Sequence, residues 1–337
     1  MNQLNHDKVG LASIGLGWWG SELASAAART GRIDIVSCFA RSVEGREEFS
    51  AKHGCRSAGS LDELLADPVV EGVIIATSNQ SHRPIIEQAA SAGKHVFVEK
   101  PFTNTVEDGV AAVTAAREGG VLLQVGHQRR RTTAKRRIKH MLEAGELGDI
   151  ETVVTQQSLP NGFKMPEEAW RWDPDQSPLG SMTSLGVHKI DTMHYLVGPI
   201  RSVFAFTRAG RNHPIDEATI LAVEFENGAL GTLTTSFFTP LVNDTSVFGT
   251  GGAAYSSEGG SKLMVQGRDD AAAEEVALEP IDPVVDQLTA FAAAIRGETT
   301  VEVDGEAGLA VIAVMEAAVE SAASGRAVEV TDVLAGS

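Results

Sequence analysis

Residues 8–29 read KVGLASIGLGWWGSELASAAAR. An apolar run leads into Gly15, Gly17 and Gly20, and an alanine-rich helical stretch follows at once. That G-x-G-x-x-G between a strand and a helix carries a mechanism. The first glycine makes the tight turn, the second lets a pyrophosphate approach the backbone, and the third lets helix pack on strand. The helix N-terminus then accepts the diphosphate charge. In a chain with 34 glycines the spacing alone is weak; its position between strand and helix makes it a dinucleotide cradle rather than a merely structural turn, with Trp18 and Trp19 inside it.

Outward from this motif the chain keeps a β-α-β rhythm. IDIVSCFA, VEGVIIAT, KHVFVE and VLLQVG (121–126) are short apolar runs separated by helical stretches. Ser60 and Glu63 form an S-x-x-E capping box, a further helix is expected from Pro84, and another at 106–118. Continuous apolar strands between helices predict a parallel Rossmann sheet covered on both faces. After Gly126 the texture changes to a basic helix and then alternating strands, IETVVTQQS, RSVFAFTRA, ATILAVEFE and GALGTLTTSFF, with an Asn227-Gly228 turn. This predicts an α+β second domain with a large, mainly antiparallel open sheet. The expected division is 1–126 and 127–337, with 249–260 a glycine-rich mobile loop and closing helices at about 284–296 and 305–323.

The 337 residues suit two domains at roughly 150 residues each. A net charge of −17 argues against nucleic acid or an anionic membrane as partner. The basic run Arg129, Arg130, Arg131, Lys135, Arg136, Arg137 and Lys139 reads as the solvated face of a helix, with an arginine or two at its start turned to substrate. Cys38 and Cys55 have neither CxxC spacing nor a histidine cluster, so no zinc site and no disulfide framework is expected. No apolar h-region opens the chain and no run approaches the 18 or so apolar residues of a membrane span. A cytoplasmic protein is expected.

NAD-specific cradles place a carboxylate at the end of the second strand. Here that strand ends in Ala40, Arg41 and Ser42. A guanidinium and a hydroxyl suit a 2′-phosphate, so NADP(H) is favoured over NAD(H); the alternative is an Arg41 that simply faces solvent.

Three further stretches, ATSNQSHRPIIEQAASAGKHVFVEKPF (76–102), RIKHMLEAGELGDIETV (137–153) and PLGSMTSLGVHKIDTMHYLVGP (178–199), join the glycine motif and the closing LAVIAVMEAAVESAASGRAVEV. Together they resemble, over essentially the full chain, the Gfo/Idh/MocA family of glucose-fructose oxidoreductase and inositol dehydrogenase. The resemblance implies an NAD(P)-dependent oxidoreductase acting on a sugar, sugar derivative or cyclitol. It puts Lys100 of Glu99-Lys100-Pro101 beside the nicotinamide, bonded to the substrate oxygen, with a cis Lys100-Pro101 peptide. It lines the nicotinamide side with Thr77, Asn79, His82 and Glu99. His188 matches the family's histidine and is the expected acid/base. Ser184 stands where the family has an aspartate, which removes a charge from the site.

Asp191, at i+3 from His188, either orients it or serves as a separate hydrogen-bond partner. His82 is equally readable as a structural residue at a helix start, and His194 as packed. Trp170 and Arg129, with His127, are assigned to the substrate cleft; one of Trp170 and Trp172 is expected to pack. Two other functions stay open: oxidation of a non-sugar cyclic diol or redox-assisted glycoside processing on the same fold, and a non-catalytic dinucleotide sensor. An open sheet with an apolar face implies a homodimer or homotetramer.

Overall fold

A computed structural model of the chain describes residues 8–210 and 213–336; the extreme N-terminus, read above for an export signal, lies outside them. The chain divides into two compact units, one formed by residues up to Gln128 together with Asp282–Leu309, the other by Arg129–Ile281 and the stretch from Ala310. In the first unit β1 (Val9–Ile14), β2 (Ile33–Phe39), β3 (Arg56–Ser57), β4 (Gly72–Ile75), β5 (His95–Val98) and β6 (Leu123–Val125) form a parallel sheet of order β3-β2-β1-β4-β5-β6. This is the Rossmann order. Every residue of β1 and β4 is buried, which is why those strands read as unbroken apolar runs.

Between the strands run α1 (Trp18–Arg29), α2 (Val43–His53), α3 (Leu61–Ala66), α4 (His82–Ser91) and α5 (Val106–Glu118). The starts of α3 and α5 are set by side-chain caps: Ser60 accepts from the Glu63 N–H at 3.0 Å, the Glu63 carboxylate accepts from the Gly59 N–H, and Thr105 accepts from the Asp108 N–H. The strand ends Ile14, Phe39, Ile75, Val98 and Val125 lie in register, so the loops that follow them share one edge.

Beyond Gln128 come α6 (Thr133–Glu143), β7 (Ile150–Ser158), α7 (Val187–Leu196), β8 (Ile200–Arg208), β9 (Ala218–Phe225), β10 (Leu230–Ser236), β11 (Val242–Gly249), β12 (Gly252–Ser257), β13 (Lys262–Gly267) and β14 (Glu274–Glu275). Then follow α8 (Pro283–Ile295), α9 (Gly305–Ser324), β15 (Val328–Glu329) and α10 (Val330–Ala335). The second sheet has nine strands in the order β14-β13-β12-β11-β7-β10-β9-β8-β15. Its pairs are antiparallel except β7 with β10.

Several sequence expectations need correction. The glycine-rich stretch 249–260 is not a mobile loop: it contains β12, whose Ala254 pairs with Val247 and Val265. Its glycines serve close approach, since a Cβ on Gly252 would lie 2.6 Å from the Gln266 carbonyl oxygen. The basic run is a solvated face only in part: Arg137 and Lys139 stay partly exposed, but Arg130, Arg131 and Lys135 are buried. And α9 does have the length and apolarity of a membrane span; Val311, Val314, Ala317 and Ala318 are buried within the protein, which accounts for its composition.

Residues 282–309, placed above with the second domain, pack with the first unit. Leu288, Phe291 and Ala292 of α8 join Val9, Leu11, Leu23, Ala26 and Ala27 in one core, and the Phe291 ring lies 5.9 Å from that of Phe97. At its end Arg296 donates to both Glu71 oxygens, at 2.6 and 2.9 Å, and to the Lys8 carbonyl. Phe291→Ala should therefore cost about 3–5 kcal/mol in urea unfolding, and amide exchange in β1 should accelerate with it.

Candidate active site

The shared edge of the parallel sheet begins with the glycine loop. Gly15 has φ +89°, and a Cβ there would lie 2.5 Å from the Ala76 carbonyl oxygen; a Cβ on Gly20 would fall on the Gly15 carbonyl oxygen. These two glycines are required by the protein itself. Gly17 is different, because a Cβ there would meet nothing within 4 Å. No side chain caps α1, so its first N–H groups are directed into the loop. A backbone kept bare where the protein has room for a side chain, at an uncapped helix start, fits the pyrophosphate of a dinucleotide. Trp18 is exposed and Trp19 half-buried, their ring centroids 5.5 Å apart.

The loops after β4 and β5 complete this edge. Thr77 Oγ1 accepts from Ser81, while the buried Asn79 side-chain nitrogen has no partner among the described residues, an orphaned donor of the kind a cofactor satisfies. His82 is fully buried, one ring nitrogen facing the Pro101 and Phe102 carbonyls at 3.0 and 3.1 Å and the other the Thr77 carbonyl at 3.3 Å. Burial holds its pKa below the usual histidine range, the carbonyls partly opposing it. Its place is behind the loops, tying the Thr77 turn to the Lys100 turn. The Lys100-Pro101 peptide is cis. Glu99 is buried, its carboxyl pushed above the ordinary range by desolvation against the neighbouring Lys100 charge and the Trp19 indole; Lys100 is half-buried.

At the end of β2, Arg41 and Ser42 are exposed. The Ser42 hydroxyl is engaged as the N-cap of α2, accepting from the Gly45 N–H at 3.1 Å and donating to Glu44 at 3.0 Å. Arg41 is the exposed cation at this strand end. Arg46, which the sequence reading passed over, reaches the same strand end and donates to the Ala40 carbonyl at 2.9 Å.

In the second unit a π-helical turn, Met182–Gly186, leads directly into α7 and carries the half-buried Ser184 to the buried His188. Such turns recur at functional sites. Asp191 is fully buried and gripped in bidentate fashion by Arg130, Nε to Oδ2 at 3.0 Å and Nη2 to Oδ1 at 2.5 Å. Arg130 also lies over the Tyr195 ring. Arg129 is half-buried in this unit, and His127, at the end of the first, is buried. Of the two tryptophans, Trp172 is the packed one: it stacks on His213 with centroids 3.7 Å apart, donates to the Pro166 carbonyl, and joins Leu185, Ile215 and Phe237. Trp170 is half-buried beneath the Arg171 guanidinium. Sequence reasoning missed Lys189, also buried, whose signal was only its place beside His188.

The model of the oxidoreductase family with an NAD-binding Rossmann fold matches residues 9–127, and that of the GFO/IDH/MocA C-terminal domain matches 136–255. The chain belongs to the GFO/IDH/MocA oxidoreductase family. It is similar to 1,5-anhydro-D-fructose reductase of Ensifer adhaerens, 28% identical over 96% of this chain and 97% of that one. To scyllo-inositol 2-dehydrogenase (NAD(+)) of Bacillus subtilis it is 31% identical, over 74% and 73%. A crystal structure from Desulfitobacterium hafniense, assigned as an NADPH-dependent oxidoreductase, superposes with a TM-score of 0.93 at 30% identity, covering 97% of this chain and 99% of the other.

For this family member the glycine loop yields a paired test. Gly17→Ala should leave the melting temperature of the free protein unchanged yet weaken dinucleotide binding by about tenfold or more, because only the ligand needs that space. Gly20→Ala should lower the melting temperature itself, and calorimetry separates the two.

Proposed function

We propose that the protein oxidises a secondary alcohol of a sugar, sugar derivative or cyclitol, or reduces the matching ketone, with NADP(H) favoured over NAD(H). The observation that carries this is the Glu99-Lys100-Pro101 turn on the same sheet edge as the glycine loop. The names of the reductase and the inositol dehydrogenase support a polyol substrate. Gly15, Gly17, Gly20, Trp18, Trp19, Thr77, Asn79 and Glu99 would hold the dinucleotide, with Arg41 toward the 2′-phosphate. A bound nicotinamide supplies the hydride acceptor or donor.

The chain's own residues handle charge and proton. The Lys100 ammonium donates to the carbinol oxygen and stabilises the negative charge that grows there, an effect commonly worth about 10²–10³ in rate. His188 takes the hydroxyl proton on oxidation and returns it on reduction. Ser184, Arg129, Trp170 and the Arg130-held Asp191 position the substrate and His188; Ser184 brings a hydroxyl where a carboxylate would raise the histidine pKa. The outer face of the second sheet exposes Val154, Phe206, Ile220 and Leu230, and we assign that face to self-association.

Thermal melts with NAD(H) and NADP(H) test the cofactor assignment: the preferred dinucleotide at about 100 times its Kd should add about 2.7 kcal/mol, and Arg41→Ala should erase the preference for NADP(H). Lys100→Met should lower kcat by about 10²–10³ while leaving the dinucleotide-induced melt shift intact. A variant that keeps its turnover would refute the role of Lys100.

A further inference from the structure

The second unit buries more positive charge than hydride transfer calls for. Lys135 of α6 and Lys189 of α7 are each only 2% exposed. The Lys135 Nζ donates to Ser256 Oγ at 3.0 Å, and the Lys189 Nζ donates to the Asp244 backbone carbonyl at 2.8 Å and to Thr245 Oγ1 at 3.1 Å. All three acceptors are neutral, and among the described residues the carboxylate whose field reaches both ammonium groups is that of Asp244. Arg129 is the third cation, its Nε without a partner among the described residues and its charge repelling both lysines.

The floor of this cluster is polar as well. Ser256, Thr245 and Thr155 stand side by side across β12, β11 and β7, and Asn243, Gln157 and Thr235 form the next row across β11, β7 and β10. The turn at 258–260 closes against it with two glycines in the left-handed region. A Cβ on Gly260 would lie 3.0 Å from the Lys135 Nζ, and one on Gly259 3.9 Å from an Arg129 Nη. An ammonium has three donors, so Lys135 keeps two beyond Ser256 and Lys189 keeps one. Buried donors and positive charges both outnumber their complements. Desolvating like charges together opposes folding, so packing does not explain the arrangement.

We propose that Arg129, Lys135 and Lys189 form a subsite for an oxyanion carried by the substrate, which makes the preferred substrate an acidic sugar or polyol, a carboxylate or a phosphate ester. The word substrate rests on the oxidoreductase reading above; the oxyanion site itself rests on the cluster alone. Burial, with repulsion from the neighbouring cations, brings the Lys135 ammonium down to about 8 and holds that of Lys189 well below the ordinary lysine range, and the charge of an entering anion raises both. The dinucleotide's own phosphates are met on the other unit, at the glycine loop.

The test uses the NADP(H)-loaded enzyme with D-glucose, D-glucuronate and D-glucose 6-phosphate, read by initial rates and by thermal melts, in the wild type and in Lys135→Met and Lys189→Met. An anionic sugar should bind about tenfold more tightly than glucose, as charge-assisted hydrogen bonds imply, and each methionine variant should remove that advantage while shifting the glucose KM by less than about twofold. The variants should melt at or above the wild-type temperature, since a buried like charge has gone; Lys135→Gln serves if methionine is not tolerated. Preference for glucuronate identifies a carboxylate, and preference for the phosphate a phosphoryl group. Turnover of glucose with no gain from either anion overturns the subsite and leaves the oxidoreductase reading standing. An anion-dependent melt shift, lost in the variants, with no sugar turned over leaves the subsite standing and overturns the reading. Absence of both the shift and the preference overturns the subsite.

Discussion

The bidentate pair of Arg130 and Asp191 is the constraint on which the candidate residues of the second unit depend. Both groups are buried and the geometry is close, so removing either partner leaves the other charge stranded, a loss of about 3–5 kcal/mol for such pairs. The pair ties the segment that starts α6 to the middle of α7. Arg129 is the neighbour of one partner in the chain, and His188 and Lys189 precede the other by three and two positions. Their placement is thereby inherited from one ion pair.

The parallel sheet was legible in the sequence because burial on both faces leaves a plain signature, an unbroken apolar strand such as VIIA or HVFV. The second sheet was only half legible. Its strands β7 to β10 alternate and could be recognised, but β12 is built on small residues, and a glycine needed for close approach has the same letter as one needed for flexibility. The helix α8 was recognised as a helix, yet nothing in an amphipathic pattern states which core its apolar face joins. Charge patterning failed at α6 for a related reason. A polar sheet face can receive lysines and arginines that composition assigns to water.

At the site itself the motifs carried most of the reading. Gly15, Gly17, Gly20 and the Glu99-Lys100-Pro101 turn lie on one sheet edge, as their places after β1 and β5 required. Ser42 shows the limit: its hydroxyl was available to a phosphate by composition, but it sits at a helix start, where capping the backbone competes for the same lone pairs. His82 likewise turned out to face three carbonyls, a role visible only once the two loops it joins are folded. Lys189 escaped notice because a lysine on a helix is ordinarily solvated.

The chain's route through its two units bears on the order in which they can form. The first sheet closes with α8, whose residues leave the ribosome only after the strands from β7 to β14 have been made. Until then Leu23, Ala26 and Ala27 lack the helix that covers them. The dinucleotide-binding unit therefore begins first and is completed late. During synthesis that face stays uncovered, and bound dinucleotide can favour the finished unit only after α8, which ends at Ile295, has emerged.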